Sequence, residues 1–112
     1  MSTRANIELW DRWTYEDEPQ ERLGVRLYHH YDGYPSWMGP ELVRMLGQVK
    51  DTLDAENRSY WWDSERVGAL FVSLSADGGM PEFQPCYDLY GDIEFLWKIY
   101  LYGQGEYEIK CK

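Results

Sequence analysis

Five apolar side chains at every second position, Ile93, Phe95, Trp97, Ile99 and Leu101, constrain this chain more than any other feature. They alternate with Glu94, Leu96, Lys98, Tyr100 and Tyr102, and a period of two marks a strand buried on one face. Such a strand needs neighbours at its edges and a layer over its apolar side, so a sheet covered on one face is implied. Gly103-Gln104-Gly105 then reads as a turn, with residues 106–112 returning as the last strand of a hairpin. The same period opens the chain. Residues 4–13 set Ile7, Leu9, Asp11 and Trp13 on one face and Asn6, Glu8, Trp10 and Arg12 on the other. The polar run from Tyr15 to Gln20, with Pro19 closed to pairing, ends this strand in a loop longer than a tight hairpin. A second strand over residues 23–31 places Leu23, Val25, Leu27, His29 and Tyr31 on one face.

Between the two ends the period changes. Asp32-Gly33-Tyr34-Pro35-Ser36 breaks the strand pattern, with a trans Tyr34–Pro35 bond expected, and Pro40 suits the first turn of a helix. Leu42, Val43, Leu46, Val49 and Leu53 fall at helical spacing over residues 40–55. Tyr60, Trp61 and Trp62 belong to a loop. Asp63 or Ser64 then caps a second helix, in which Val67, Leu70, Phe71 and Leu74 favour helix over strand by spacing, and Asp77-Gly78-Gly79 stops it. Residues 85–90 read as a short edge strand. The expectation is a single α+β domain, residues 1–112: an antiparallel sheet of four to five strands with two helices on one face, in the order β-β-α-α-β-β. The second face would stay open, carrying Trp10, Tyr28, Tyr100 or Tyr102 among charged residues.

Charge narrows the function. Twenty carboxylates against eleven Lys and Arg give a net charge of −9, which repels phosphate backbones and anionic membranes and attracts basic partners. Solubility, or adaptation to a salty cytoplasm, accounts for the same charge. Aromatic residues reach 17%, more than a core this small easily hides, so some rings should mark a contact surface or cover both faces of a thin sheet. The charged start MSTRANIELW lacks a secretory h-region, no apolar run reaches the roughly 20 residues that span a bilayer, and a cytoplasmic location in a host cell is expected. Cys86 and Cys111 make no CxxC pair; two reduced thiols are the default, and a single bridge between neighbouring strands is the alternative.

Catalytic chemistry finds little footing. His29 and His30 lie beside Asp32, but adjacent strand residues point to opposite faces and cannot share a metal ion. Asp88, Asp92 and Glu94 are acidic without a defined separation. There is no GxSxG, P-loop or GxGxxG pattern. No catalytic residue, metal or cofactor is assigned. Glu16, Asp17 and Glu18, with Glu21, form a dense acidic patch, either a solvated loop or an imitation of phosphates.

Two motifs carry a resemblance. Thr3-Arg4-Ala5-Asn6-Ile7 and His30-Tyr31-Asp32-Gly33-Tyr34-Pro35, with Gly91-Asp92-Ile93-Glu94-Phe95 later, resemble a family of small phage and prophage proteins. That family opens on a Thr-Arg-(Ala/Ser)-Asn-Ile strand and carries an aromatic-His-(Trp/Tyr)-Asp-Gly-Tyr-Pro turn; Tyr31 stands where Trp is commoner. The resemblance implies an accessory protein of a mobile element. The leading expectation is a non-enzymatic inhibitor of host defence, anti-CRISPR in character, binding a basic nucleic-acid-handling protein or ribonucleoprotein complex and not nucleic acid itself. Its expected contact residues are Glu16, Asp17, Glu18, His30, Asp32, Tyr34 and Trp37. The alternative is a small-molecule or nucleotide binder, or hydrolase, built around the His30–Pro35 turn. A phage assembly protein also uses the rings and would show itself as a homo-oligomer, a homodimer being the simplest.

Overall fold

Alternation at the two ends becomes sheet, and the helical period between them becomes a layer of two helices. A computed structural model describes residues 4–30, 33–76, 83–86, 93–103 and 105–112. The elements run β1 (Ala5–Tyr15), β2 (Glu18–His29), α1 (Pro35–Ala55), a 3₁₀ turn (Ser59–Trp61), α2 (Ser64–Ser75), β3 (Gln84–Pro85), β4 (Phe95–Gly103) and β5 (Glu106–Cys111). The class is α+β, and the five strands lie in the order β3-β2-β1-β4-β5. The expected all-antiparallel sheet is corrected, because β1 and β4 pair in parallel from Ala5↔Phe95 to Asp11↔Leu101. Alternation assigns each side chain to a face and says nothing of the direction of the neighbouring strand. Here β2 runs antiparallel to β1, and β4, arriving after both helices and β3, runs opposite to β2 on the far side of β1, which sets it parallel to β1. The expected edge strand begins one residue early, where Tyr28 pairs with Gln84 and Leu27 with Pro85; residues 87–92 lie outside the described residues.

The loop expected after the first strand is instead a two-residue turn. Tyr15 pairs with Glu18, and Glu16 and Asp17 both take left-handed backbone, φ 50° and 63°, as a type I′ hairpin demands. Pro19 joins β2 because it falls opposite Thr14, one step past the hydrogen-bonded closing pair, where its missing N–H removes no ladder bond. A bulge follows: Leu9 faces Val25 but Trp10 faces Leu23, leaving Gly24 as the extra residue. With a side-chain period of two, that insertion turns Leu23 onto the face of Trp10, away from Val25, Leu27 and His29. The single stripe expected from Leu23 onwards is therefore broken at its first residue; Tyr31 lies outside the described residues.

The first helix starts five residues earlier than its apolar spacing suggests. Tyr34 is extended, as a residue before proline prefers, and its carbonyl accepts from the N–H groups of Trp37 and Met38. Pro35 thereby takes the helix-opening place expected for Pro40, which instead sits inside the helix; the Tyr34–Pro35 bond is trans. Met38, Leu42, Met45, Leu46, Val49 and Leu53 face the sheet, while Val43, expected in this stripe, is 49% exposed. They meet Ile7, Leu9, Leu27, Trp97, Ile99 and Leu101 from the strands and Val67 and Phe71 from α2 in one core. Among the described residues no helix is long and apolar enough to cross a membrane.

The helix layer is fastened to the sheet at the start of α2. Asp63 caps the helix by accepting from the Arg66 N–H at 2.9 Å, as expected. Asp11 of β1 adds a second carboxylate, accepting from the Ser64 N–H at 2.7 Å and the Ser64 hydroxyl at 2.6 Å. This approach leaves no room for side chains between the layers. A Cβ on Gly24 would lie 1.7 Å from Ser64 Oγ, and one on Gly68 would lie 2.3 Å from Val25 Cγ1. Gly68→Ala is expected to lower stability in urea melts: overpacking costs about 1–3 kcal/mol, against the ~1 kcal/mol by which alanine favours a helix over glycine. Made in a Val25→Ala background, the same change should recover stability; a loss of equal size there would place the cause elsewhere.

Candidate functional site

The second sheet face carries the rings expected of it, beneath a layer of cations. Cross-strand register groups Asn6, Glu8, Trp10 and Arg12 of β1 with Arg26 and Tyr28 of β2 and with Lys98 and Tyr100 of β4. Asn6 and Glu8 are buried although both are polar. Asn6 Nδ2 donates to the Leu27 carbonyl at 2.9 Å and to Cys86 Sγ at 3.2 Å. Glu8 accepts from Arg26 Nε at 3.0 Å and Trp10 Nε1 at 3.2 Å. The Arg12 guanidinium lies 3.5 Å from the Tyr100 ring centre, while Lys98 Nζ and Lys110 Nζ stand 5.5 and 5.7 Å from the rings of Trp10 and Tyr100. Tyr28 and Tyr100 are buried, Tyr100 beneath these cations, and only Tyr102 is left exposed among the four expected rings.

This face is not where the negative charge sits. On it Arg12, Arg26, Lys98 and Lys110 stand against Glu8, Glu21, Glu106 and Glu108, so cations match anions along the paired strands of a chain of net charge −9. Among the described residues, exposed anions cluster at the hairpin tip (Glu16, Asp17 and Glu18) and around the C-terminal end of α1 (Asp51, Asp54 and Glu56).

The β1–β2 hairpin outruns its sheet. β1 pairs with β4 only as far as Asp11, so Arg12↔Glu21, Trp13↔Gln20, Thr14↔Pro19 and Tyr15↔Glu18 form a two-stranded arm of four pairs, about 13 Å long before its turn. The stripe that is core at Ile7 and Leu9 continues into solvent as Trp13, 47% exposed, and Tyr15, 63% exposed. Sequence alternation put Trp13 on the core face and could not see that the core ends before it. A groove of about 520 Å³ runs along the arm, lined by Trp13, Thr14, Pro19, Gln20, Glu21 and Tyr102. Two-stranded ribbons are marginal in water, and this one is braced at its root. Arg12 donates to Glu21 at 3.1 Å and to the Tyr102 hydroxyl at 3.0 Å, and that hydroxyl donates to Glu108 at 2.8 Å.

The expected contact residues separate into two groups. Glu16, Asp17 and Glu18 sit together at the exposed tip. His30, Tyr34 and Trp37 lie at the other end of the sheet, where Ala5 pairs with His29, about ten residues or 33 Å away along the strands. There Trp37 is half-buried and stacks on buried His29 at 5.6 Å, and His29 also meets Phe83 at 4.9 Å. His30 turns to the opposite face, its Nδ1 2.9 Å from the Tyr28 hydroxyl, so the two histidines diverge as strand geometry requires. Tyr34 is exposed, and Asp32 lies outside the described residues, as do Asp88 and Asp92. Among the described residues no group of three or more His, Cys, Asp or Glu is placed to hold a metal ion. Cys86 and Cys111 are not joined by a disulfide and lie on opposite edges of the sheet, beside β3 and on β5. No family model, curated protein or solved structure matches this chain.

The brace at the root of the arm has a pH signature. The Tyr102 hydrogen bond, aided by Lys110 and Arg12, holds the Glu108 carboxyl below its ordinary range. A carboxyl more acidic folded than unfolded favours the folded state above its unfolded pKa, and that contribution drains away as pH falls through the lowered folded value. Tyr102→Phe should therefore raise the Glu108 midpoint in an NMR carboxyl titration towards that of an ordinary glutamate. A midpoint that does not move would assign the shift to the cations alone.

Proposed function

We propose that this chain is a non-enzymatic binding protein whose β1–β2 arm docks into a basic groove of a nucleic-acid-handling partner. In the mobile-element setting that its motifs resemble, the partner is a protein or ribonucleoprotein complex of host defence, and the chain inhibits it by occupying the groove that phosphates would fill.

One observation carries the reading. Glu16 and Asp17 both occupy left-handed backbone at the tip of the arm. Left-handed conformation costs an ordinary L-residue roughly 1–2 kcal/mol, and Asn-Gly would make this turn at lower cost. The chain keeps acids there and flanks them with Glu18 and exposed Tyr15 and Trp13, so charge and rings project together on a braced ribbon. Carboxylates at the tip meet Lys and Arg of a phosphate-binding groove; the rings supply apolar area where bases would stack. Long-range attraction from the −9 charge speeds the encounter.

The small-molecule alternative at the His30–Pro35 turn depends on Asp32, which lies outside the described residues, and beside that turn Trp37 and His29 are packed against one another. A tagged pull-down from a host lysate, washed at rising salt, tests the proposal with two variants of equal charge change. Glu16→Asn/Asp17→Gly/Glu18→Gln should keep or raise stability while weakening capture of a basic partner by tenfold or more, the size of about 1.4 kcal/mol. Asp51→Asn/Asp54→Asn/Glu56→Gln should leave capture within a few-fold of the parent. Equal losses from both would mean that net charge, not the arm, attracts the partner.

A further inference from the structure

β5 closes one edge of the sheet, and among the described residues no strand lies beyond it. It contains no proline, which commonly blunts such edges. Its outward-facing groups follow from its pairing with β4. Leu96 and Lys112 exchange both backbone hydrogen bonds, at 3.1 and 2.8 Å. Bonded and non-bonded pairs alternate in an antiparallel ladder, so Lys110 and Glu108 also turn their backbone groups towards β4. The N–H and C=O groups of Tyr107, Ile109 and Cys111 therefore point away from the sheet, along the free edge.

The residues of this edge are complementary to themselves. Around Ile109, Glu106 and Glu108 precede while Lys110 and Lys112 follow. Run antiparallel to a second copy about a two-fold axis at Ile109, the strand sets Glu106 opposite the second copy's Lys112 and Glu108 opposite its Lys110, twice over by symmetry. Ile109 meets its own counterpart at a bonded position, and Tyr107 meets Cys111, so the outward groups supply six main-chain hydrogen bonds. Moving the axis one or two residues either way sets Glu against Glu or Lys against Lys. Only the Ile109 register pairs every charge with its opposite.

We propose that β5 is a homodimerisation edge, joining two copies through Ile109-centred antiparallel pairing into a continuous sheet of ten strands. The two acidic arms then project in opposite directions, because each follows the axis of β1 and the two-fold reverses it.

Light scattering on the purified chain, with a charge-swap pair, tests this. The parent should run as a dimer. Lys110→Glu/Lys112→Glu makes all four cross-edge pairs Glu–Glu, Glu106→Lys/Glu108→Lys makes them Lys–Lys, and each should weaken self-association roughly tenfold or more. Mixed one to one, the two should form a heterodimer, since every pair is then opposite in sign. Should either variant unfold by circular dichroism, Ile109→Cys in a Cys111→Ser background decides, because a bonded pair holds Cα atoms about 5.5 Å apart, within disulfide reach. Mild oxidation should cross-link that variant into dimers. A parent that stays monomeric at every accessible concentration, folded variants that dimerise as well as the parent, a mixture that does not associate, or an uncross-linked Ile109→Cys chain would each overturn the proposal.

Discussion

Asn6 and Glu8 sit in the first half of β1, polar side chains on a stretch paired along both edges and buried on both faces. An unsatisfied polar group there would cost about 1–3 kcal/mol, and more if charged, so the second face has to be built to answer them. Arg26 and Trp10 reach Glu8, while the Leu27 carbonyl and Cys86 receive Asn6. Arg26 meets that demand at Glu8, and two other cations of the same face, Arg12 and Lys98, lie over the rings of Tyr100 and Trp10. Two polar residues of the central strand thus account for part of the bonding on this face. On the opposite face of the same strand, Ala5, Ile7 and Leu9 lie against the helix layer and Asp11 ties it to the start of α2.

A molecule with this charge separation presents itself unevenly to a partner. The sheet face holds its cations in stacking contacts and ion pairs, close to neutral overall, while among the described residues exposed anions cluster at the arm and at the end of α1. Interactions between exposed charges fade over a Debye length, about 8 Å at physiological salt. At contact distances the local composition of the arm therefore matters more than the net charge of the chain. The arm carries its left-handed turn residues above a brace of Arg12, Glu21, Tyr102 and Glu108 at its root.

Much of this could be read in the residues. The strands at both ends, the helix capped by Asp63, the divergence of His29 and His30 and the ring-bearing second face all follow from periodicity and cap chemistry, which act over a few residues. Three features escaped it. The tight turn at Glu16–Asp17 uses left-handed acids in place of the glycine or asparagine that announces such a turn. The bulge at Gly24 shows in sequence only as an isolated glycine, yet it reverses the face of Leu23. Among the expected contact residues, the acidic tip and the His30–Trp37 region looked like one surface because eleven residues separate Glu18 from His29, and an extended strand turns that interval into the length of the sheet.

Sequence alone determined which segments become strand or helix and which side chains alternate inward, because period and capping are local properties of the backbone. Tertiary structure decided that β4 lies parallel to β1, that the core stops short of Trp13 and Tyr15, and that rings expected to be open are covered by cations. Each of those outcomes depends on which distant segment arrives alongside, and a local pattern records the face a residue takes but never the neighbour it meets there.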